Sequence, residues 1–382
     1  MGRYSMLNRS RPWMWPLVVA VIALVMYVAR VRTEMVDFEV YHTAAIRAVD
    51  AEPLYRADDG HYQFKYLPAF ALAMAPFAGL SSQVAKPLWY GLSVALLWLF
   101  VSWSIEGLPA RRRSTTVLAW LTILLMAKFY AHELNLGQTN ILLGVILVSA
   151  VLAMQRGRPA MAGALVGIGV FVKPYAAILL PWLLPGAGLP GAIAAAAVIG
   201  FGLVLPAVVY GWQGNLDQLL GWYHTVTDTT APNLLLPENV SLATMWAKWI
   251  GVGPLATSLA VFTILAGLAV VAWATWRRRQ VANPAYLEFG LLMLLVPLIS
   301  PQGWDYVLLL ATPAIVCLVD RFDLTSTGWR VVTALAMAVT SFTIYDLLGR
   351  SLYSRLMSIN IVSVGALALF LCLAHLRRRS LA

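Results

Sequence analysis

The sequence predicts an all-α polytopic membrane protein, and three features of its 382 residues carry that prediction. Hydrophobic residues make up 60% of the chain and charged residues 12%, with a mean hydropathy of +0.76, far more apolar than a water-soluble domain. The apolar residues fall in runs close to the roughly 20 residues that cross a bilayer as a helix. The positive charge is clustered, with Arg111 to Arg113, Arg277 to Arg279 and Arg377 to Arg379 each flanking such a run.

A net charge of +10 invites a nucleic-acid reading, but arginine triplets at the ends of apolar runs are topology signals. Membrane lipids with anionic headgroups are the expected partner, and no nucleic acid is expected. Cys317 and Cys372 lie inside apolar runs without metal-ligand spacing and read as packing residues.

Runs that qualify as spans lie near 13–30, 84–105, 115–131, 138–154, 190–210, 253–275, 284–298, 304–320, 328–347 and 357–376. The first follows Arg9 and Arg11 and has no small-residue cleavage site after it, so it reads as a retained helix. Residues 159–184, "PAMAGALVGIGVFVKPYAAILLPWLL", are too long for one untilted span and carry Lys173-Pro174 at their middle. Keeping the arginines of 111–113, 155–158 and 277–279 cytoplasmic requires an odd number of crossings between Arg158 and Gly211. A break at Lys173-Pro174 into two short helices supplies it, since proline removes a backbone donor and disfavours helix just before itself. The expected total is about twelve membrane segments, with both termini cytoplasmic, in the plasma or inner membrane. Residues 66–80, short and twice interrupted by proline, are expected to lie on the membrane as an external amphipathic or re-entrant segment. No internal repeat divides the chain, so 1–382 reads as one domain whose external loops 31–83, 132–138, 211–252 and 299–304 form the site.

This threading sends the unusual residues to the external face: Asp37, Glu39, Tyr41, His42, His61, Lys65, His132, Glu133, Asn135, Gln138, Asn140, Lys173, Glu238, Asn239, Ser241 and "SPQGWD" from Ser300 to Asp305. Asp37 alone is compatible with a solvated loop carboxylate. Lys173, ionisable within a long apolar run, is a functional-site signal; its ordinary alternative is an ammonium snorkelling to headgroups. His132 and Glu133 suit either a site or the cap of a short turn. Trp304 suits an interfacial anchor, a role that does not extend to Asp305. There is no phosphate-cradling glycine loop, no Gly-x-Ser-x-Gly elbow and no Cys-His metal spacing.

An enzyme working on the external face needs a donor delivered through the membrane, and a polyprenyl-phosphate sugar meets that need. Its phosphate suits a lysine at a helix break. A carboxylate takes the proton of an acceptor hydroxyl, and cationic or amide donors stabilise the departing phosphate. By residue type Asp37 and Lys173 fit these roles. Asp37 and Glu39, two apart, share a side if the segment is extended and diverge by about 200° on a helix. A lipid or solute transporter or flippase is the main alternative, because an intramembrane lysine and broken helices also serve transport; a non-catalytic assembly subunit is a third.

Residues 37–80, 137–184 (opening "GQTNILLG" and containing "VKPY"), "NVSL" at 239–242 and "SPQGWDYVLLL" at 300–310 together resemble glycosyltransferase family 87. That family holds GT-C-type mannosyltransferases dependent on polyprenyl-phosphate mannose. The resemblance implies a GT-C-like helical bundle, an envelope glycan or glycolipid acceptor, and inversion at the anomeric carbon without a required metal or other cofactor. The pairing of Asp37 with Glu39 keeps a metal open. By the same resemblance Asp37 is the catalytic base, and Lys173, Gln138 and Asn140 bind the donor phosphate. Glu39, His42, His132, Glu133, Asn239, Ser241, Trp304 and Asp305 are candidate contacts to donor or acceptor. Where many members carry histidine after the tryptophan, this chain has Asp305 and Tyr306, and His132, His224 or Lys65 are the residues that would replace it.

Overall fold

A computed structural model describes residues 14–379; Arg9, Arg11 and Trp13 lie outside them. The chain is helical throughout, and among the described residues the only β-type pairing is an isolated bridge between Asn239 and Trp304. In order the helices are α1 (Met14–Ala29), α2 (Val36–Val49), α3 (Pro68–Ala73), α4 (Ala75–Ala78), α5 (Ser82–Glu106), α6 (Thr115–Leu136), α7 (Asn140–Gln155), α8 (Pro159–Val172) and α9 (Leu180–Val204). They continue with α10 (Ala207–Asp228), α11 (Leu242–Ile250), α12 (Pro254–Trp276), α13 (Ala285–Ile299), α14 (Thr312–Asp320), α15 (Thr327–Phe342), α16 (Tyr345–Ser358) and α17 (Ile361–Arg379). Among the described residues, five stretches are long and apolar enough to span a bilayer: α5, α6, Pro174–Val204, α12 and α17. The pair α15 and α16, bent by 102°, raises the number to six, and α1, α7, α8 and α13 are shorter apolar helices. This is an integral membrane protein.

The chain breaks where Lys173-Pro174 requires it. Lys173 is extended (φ −151°, ψ 121°) at the end of α8, and a 3-10 turn, Pro174–Leu179, leads into α9. A second reversal comes at Gly188, whose φ of 66° and ψ of −168° suit glycine alone. The consequence is visible in the packing. A Cβ on Gly163 would lie 1.8 Å from the Gly191 carbonyl oxygen, and one on Gly202 would lie 2.3 Å from the Phe171 ring. Contacts that advance together along both segments mean that α8 and the later part of α9 run parallel, with residues 174–187 returning between them.

The arginine clusters and the polar junction residues sort to opposite ends. At one end, the backbone N–H groups of Arg112 and Arg113 donate to the Asp320 carboxylate at 2.9 and 2.8 Å. Arg113 pairs with Asp323 at 2.6 Å, Arg156 with Glu106 at 2.6 Å and Arg278 with Glu288 at 3.4 Å. Since α6 and α8 both lead away from these arginines, their far ends carry His132, Gln138 and Lys173 to the opposite end.

Three expectations change. The loop foreseen at 211–252 is mostly helix: α10 is kinked at Gly211 (φ 69°), and α11 is capped by the Ser241 hydroxyl. Residues 66–80 form α3 and α4, packed in part against α2, with Pro68, Ala69, Phe70 and Ala71 buried. The run 304–320 starts as a 3-10 turn, Asp305–Ala311, before α14.

The close approach of α8 to α9 makes Gly163 the sensitive position. Gly163→Ala should lower the thermal unfolding midpoint in detergent, since overpacking costs about 1–3 kcal/mol. Gly200→Ala, with nothing within 4 Å of the new Cβ, should leave it unchanged.

Candidate active site

The α6–α7 corner builds the site. Gly137 ends α6 in the left-handed region (φ 69°), and a Cβ there would meet Phe38 Cβ at 2.8 Å and Met35 Cε at 3.0 Å. Both the backbone and the space therefore demand glycine. Met35 is itself left-handed (φ 58°), and its N–H donates to the Asn135 carbonyl at 3.0 Å. These contacts seat the first turn of α2 on the corner and bring Asp37 to Gln138.

Gln138 is the junction. Its Nε2 donates to Asp37 Oδ2 at 2.8 Å and to the Tyr306 hydroxyl at 3.3 Å. Its Oε1 lies 2.8 Å from the Tyr41 hydroxyl and 3.1 Å from the Tyr66 hydroxyl, and accepts from Lys173 Nζ at 3.1 Å. The amide cannot be turned round without facing its oxygen to a carboxylate and its NH2 to an ammonium. The Tyr41 and Tyr66 hydroxyls lie 2.6 Å apart; with one proton each, one of them donates to the other and only the second can then donate to Oε1. Lys173 Nζ lies 4.5 Å from the Tyr66 ring centroid. A cation over an aromatic face gains about 0.5–2 kcal/mol, which holds the ammonium inward rather than extended to headgroups.

Burial raises the pKa of Asp37 above the ordinary aspartate value, offset in part by the Gln138 hydrogen bond and by the charges of Lys173, His132 and Lys65. Lys65 is shifted down by burial and drawn back up by Asp37, with Lys173 adding to the downward shift. One carboxylate thus sits among three basic side chains. Gln138 occupies Oδ2, leaving Oδ1 to take a proton.

The other expected residues divide. His132 Nδ1 meets Asp305 Oδ1 at 3.2 Å, and its ring stands edge-on to Tyr306 with centroids 5.0 Å apart. A histidine from α6 therefore reaches the position that follows Trp304, whereas His224 is exposed on α10. Glu39 is on a different face of α2 from Asp37 and pairs with Lys86 at 2.5 Å. Glu133 is buried and accepts from Asn140 Nδ2 at 2.8 Å and from the Ile141 N–H at 3.0 Å. Asn140 is buried as well, and its oxygen accepts from Tyr175; both residues brace the corner. His42 is nearly buried, stacked on Phe38 and bonded to the Phe77 and Leu80 carbonyls at 3.0 Å each. Asn239 ties Asn233 to Pro301, and Ser241 caps α11. With the Asn239–Trp304 bridge they fix Asp305, whose N–H donates to the Glu238 carbonyl at 2.9 Å. Tyr41 was expected at the external face without a role, whereas Tyr66 and Tyr175 were not foreseen as parts of a site, because a tyrosine in an apolar stretch reads as packing.

The family model for glycosyltransferase family 87 matches residues 64–301. The chain belongs to glycosyltransferase family 87. The matched span takes in Lys65, Gln138 and Lys173 and begins past Asp37, so geometry carries the case for Asp37. A polyprenol-phosphate-mannose-dependent alpha-(1-2)-phosphatidylinositol mannoside mannosyltransferase of Mycolicibacterium smegmatis is 24% identical over 347 residues, covering 82% of this chain and 76% of the relative. No solved structure matches the chain. The family 87 member described here is therefore a glycosyltransferase, and its most connected polar cluster is the Gln138 junction.

For Asp37 to serve as a base it must be ionised, and that role predicts activity falling as pH drops through its pKa. Because burial raises that pKa, the acidic limb of kcat/KM should lie above the ordinary aspartate value of about 3.9. Gln138→Met removes a hydrogen bond that favours the carboxylate, so the limb should move to higher pH; an unmoved limb in a folded variant would detach Gln138 from the base.

Proposed function

We propose that this family 87 enzyme transfers mannose from polyprenyl-phosphate mannose to a glycan or glycolipid acceptor, with inversion at the anomeric carbon. The observation that carries the reading is the Gln138 junction, where one buried amide bonds both a carboxylate and a lysine ammonium. The donor phosphate pairs with Lys173, with Lys65 and His132 adding positive charge nearby. Asp37 Oδ1 takes the acceptor proton as the acceptor oxygen attacks the anomeric carbon. The bond from that carbon to the phosphate oxygen breaks, and polyprenyl phosphate leaves with the electron pair, stabilised by the ammonium. Burial raises the proton affinity of Asp37, which suits a carboxylate that ends the step protonated. The name of the mycobacterial relative supports the mannose and the lipid-linked donor.

The whole chain acts as one membrane unit of about twelve segments in the plasma or inner membrane, with the termini and the arginine clusters at 111–113, 155–158 and 277–279 cytoplasmic and Asp37 external. Support comes from the arginines gathered opposite the junction and from the three legs of residues 159–204. A flippase needs a polar path open to both faces, and the cluster around Gln138 lies at one end only.

Asp37→Asn should cost about a hundredfold to ten-thousandfold in mannosyl transfer measured with purified protein, while Glu39→Gln retains turnover at saturating acceptor. Near-normal transfer by Asp37→Asn would remove the proposed base. Lys173→Met should raise the KM for the lipid-linked donor, because a ground-state phosphate contact is lost. Both native cysteines are buried, so single cysteines at exposed positions report topology. One at residue 58 should react with an impermeant thiol reagent in intact cells and one at residue 111 should not; the reverse pattern would invert the threading.

A further inference from the structure

Beside the junction, between α2 and the 3-10 turn Ala57–Tyr62, lies a cavity of about 230 Å³ lined by residues that include Val36, Glu39, Thr43, Arg47, Asp59 and Tyr62. It is smaller than the ~300–1,000 Å³ of pockets for drug-sized ligands, a size that suits a single sugar ring. Its charges cancel in pairs. Arg47 holds Asp59 through two hydrogen bonds of 2.6 and 2.7 Å, and Lys86 meets Glu39 at 2.5 Å. The lining is therefore dense in hydrogen-bonding groups yet formally neutral, unlike the cationic surroundings of Asp37. Such a lining favours an uncharged polyol over a phosphate, which would have to compete with a carboxylate for each cation. Tyr62, 52% exposed, adds the flat apolar face on which a sugar C–H surface rests, with its hydroxyl free for a polar contact.

Asp37 does not line the cavity, but its chain neighbour Val36 does. Val36 directly precedes Asp37, and Val36, Val40, Thr43 and Arg47 form one stripe along α2 with Asp37 about 100° round the helix. Phe64, on the cavity wall, lies 5.6 Å from the Tyr66 ring, whose hydroxyl bonds Gln138. We infer that this groove binds the uncharged pyranose of the acceptor and sets its attacking hydroxyl on the flank of α2 that carries Asp37. The inference rests on the glycosyltransfer reading above and adds the residues that recognise the acceptor.

The test uses the full chain in detergent with two probes, methyl α-D-mannopyranoside and methyl phosphate, followed by saturation-transfer NMR titration. Wild type should bind the mannoside. Tyr62→Ala should weaken it by about three- to tenfold, and Tyr62→Phe, which keeps the face, should restore most of the affinity. Glu39→Gln releases the Lys86 charge, so mannoside binding should fall and methyl phosphate binding should rise. Unchanged thermal unfolding of the variants establishes that they are folded. Absence of mannoside binding to wild type, or equal binding by Tyr62→Ala, overturns the subsite. Mannosyl transfer from the lipid-linked donor is assayed in parallel. Transfer by wild type with an unchanged acceptor KM in Tyr62→Ala sinks the groove and leaves the glycosyltransfer reading standing; mannoside binding in the groove without any transfer does the converse.

Discussion

The hydrogen-bond demand of one buried amide organises the active end of this protein. Gln138 is 6% exposed, and a buried amide left unpaired would cost about 1–3 kcal/mol per group. Its two ends are satisfied only by unlike partners: a carboxylate on α2 for the NH2, and hydroxyls with an ammonium for the oxygen. Hydrogen bonds to charged groups contribute about 1.5–3 kcal/mol each, and the bond from the amide favours the ionised form of Asp37. α2, the α6–α7 corner and the end of α8 therefore meet at one side chain. Burial pushes the Asp37 pKa up, and the Gln138 hydrogen bond with the nearby positive charges pulls it part of the way back, the balance that the proposed base role calls for.

The helices around it make that meeting possible. Gly137 lets α2 approach the corner, Glu133 and Asn140 close the corner from within, and the α8–α9 packing fixes where α8 stops and Lys173 begins. Charge separation along the bundle does the rest. Arginines pair with Glu106, Glu288, Asp320 and Asp323 at one end, so the lysines and the base at the other end are not drawn into those pairs. Neutral pairing in the α2 groove and cationic surroundings at the junction then distinguish a place for a sugar from a place for a phosphate.

Much of this was legible in the sequence because single residues impose it locally. Apolar runs such as 84–105, 253–275 and 284–298 match α5, α12 and α13 to within a few residues, and Lys173-Pro174 marked the break, since proline cannot continue the hydrogen-bond ladder. Asp37, Gln138 and Lys173 were named from residue type and resemblance, and Asp37 and Lys173 each bond to Gln138. What escaped is what depends on packing between distant segments. The reversal at Gly188 looks like one more glycine in an apolar stretch, and Tyr66 and Tyr175 look like core. Asn140, Glu133, His42, Asn239 and Ser241 carry polar groups that a sequence assigns to a ligand as readily as to a backbone carbonyl; tertiary contacts direct all five to the protein itself. The His132–Asp305 pair joins positions 173 apart, a separation that no spacing rule addresses.

The most direct measurement of the central claim is an experimental structure of the full chain with a non-hydrolysable polyprenyl-phosphate mannose analogue bound. The account places the donor phosphate within hydrogen-bonding distance of Lys173 Nζ. It also leaves room on the Asp37 side for an acceptor oxygen about 3–3.5 Å from the anomeric carbon. A phosphate bound at the arginine end of the bundle, or an anomeric carbon turned away from Asp37 with Lys173 still bonded only to Gln138, would contradict it.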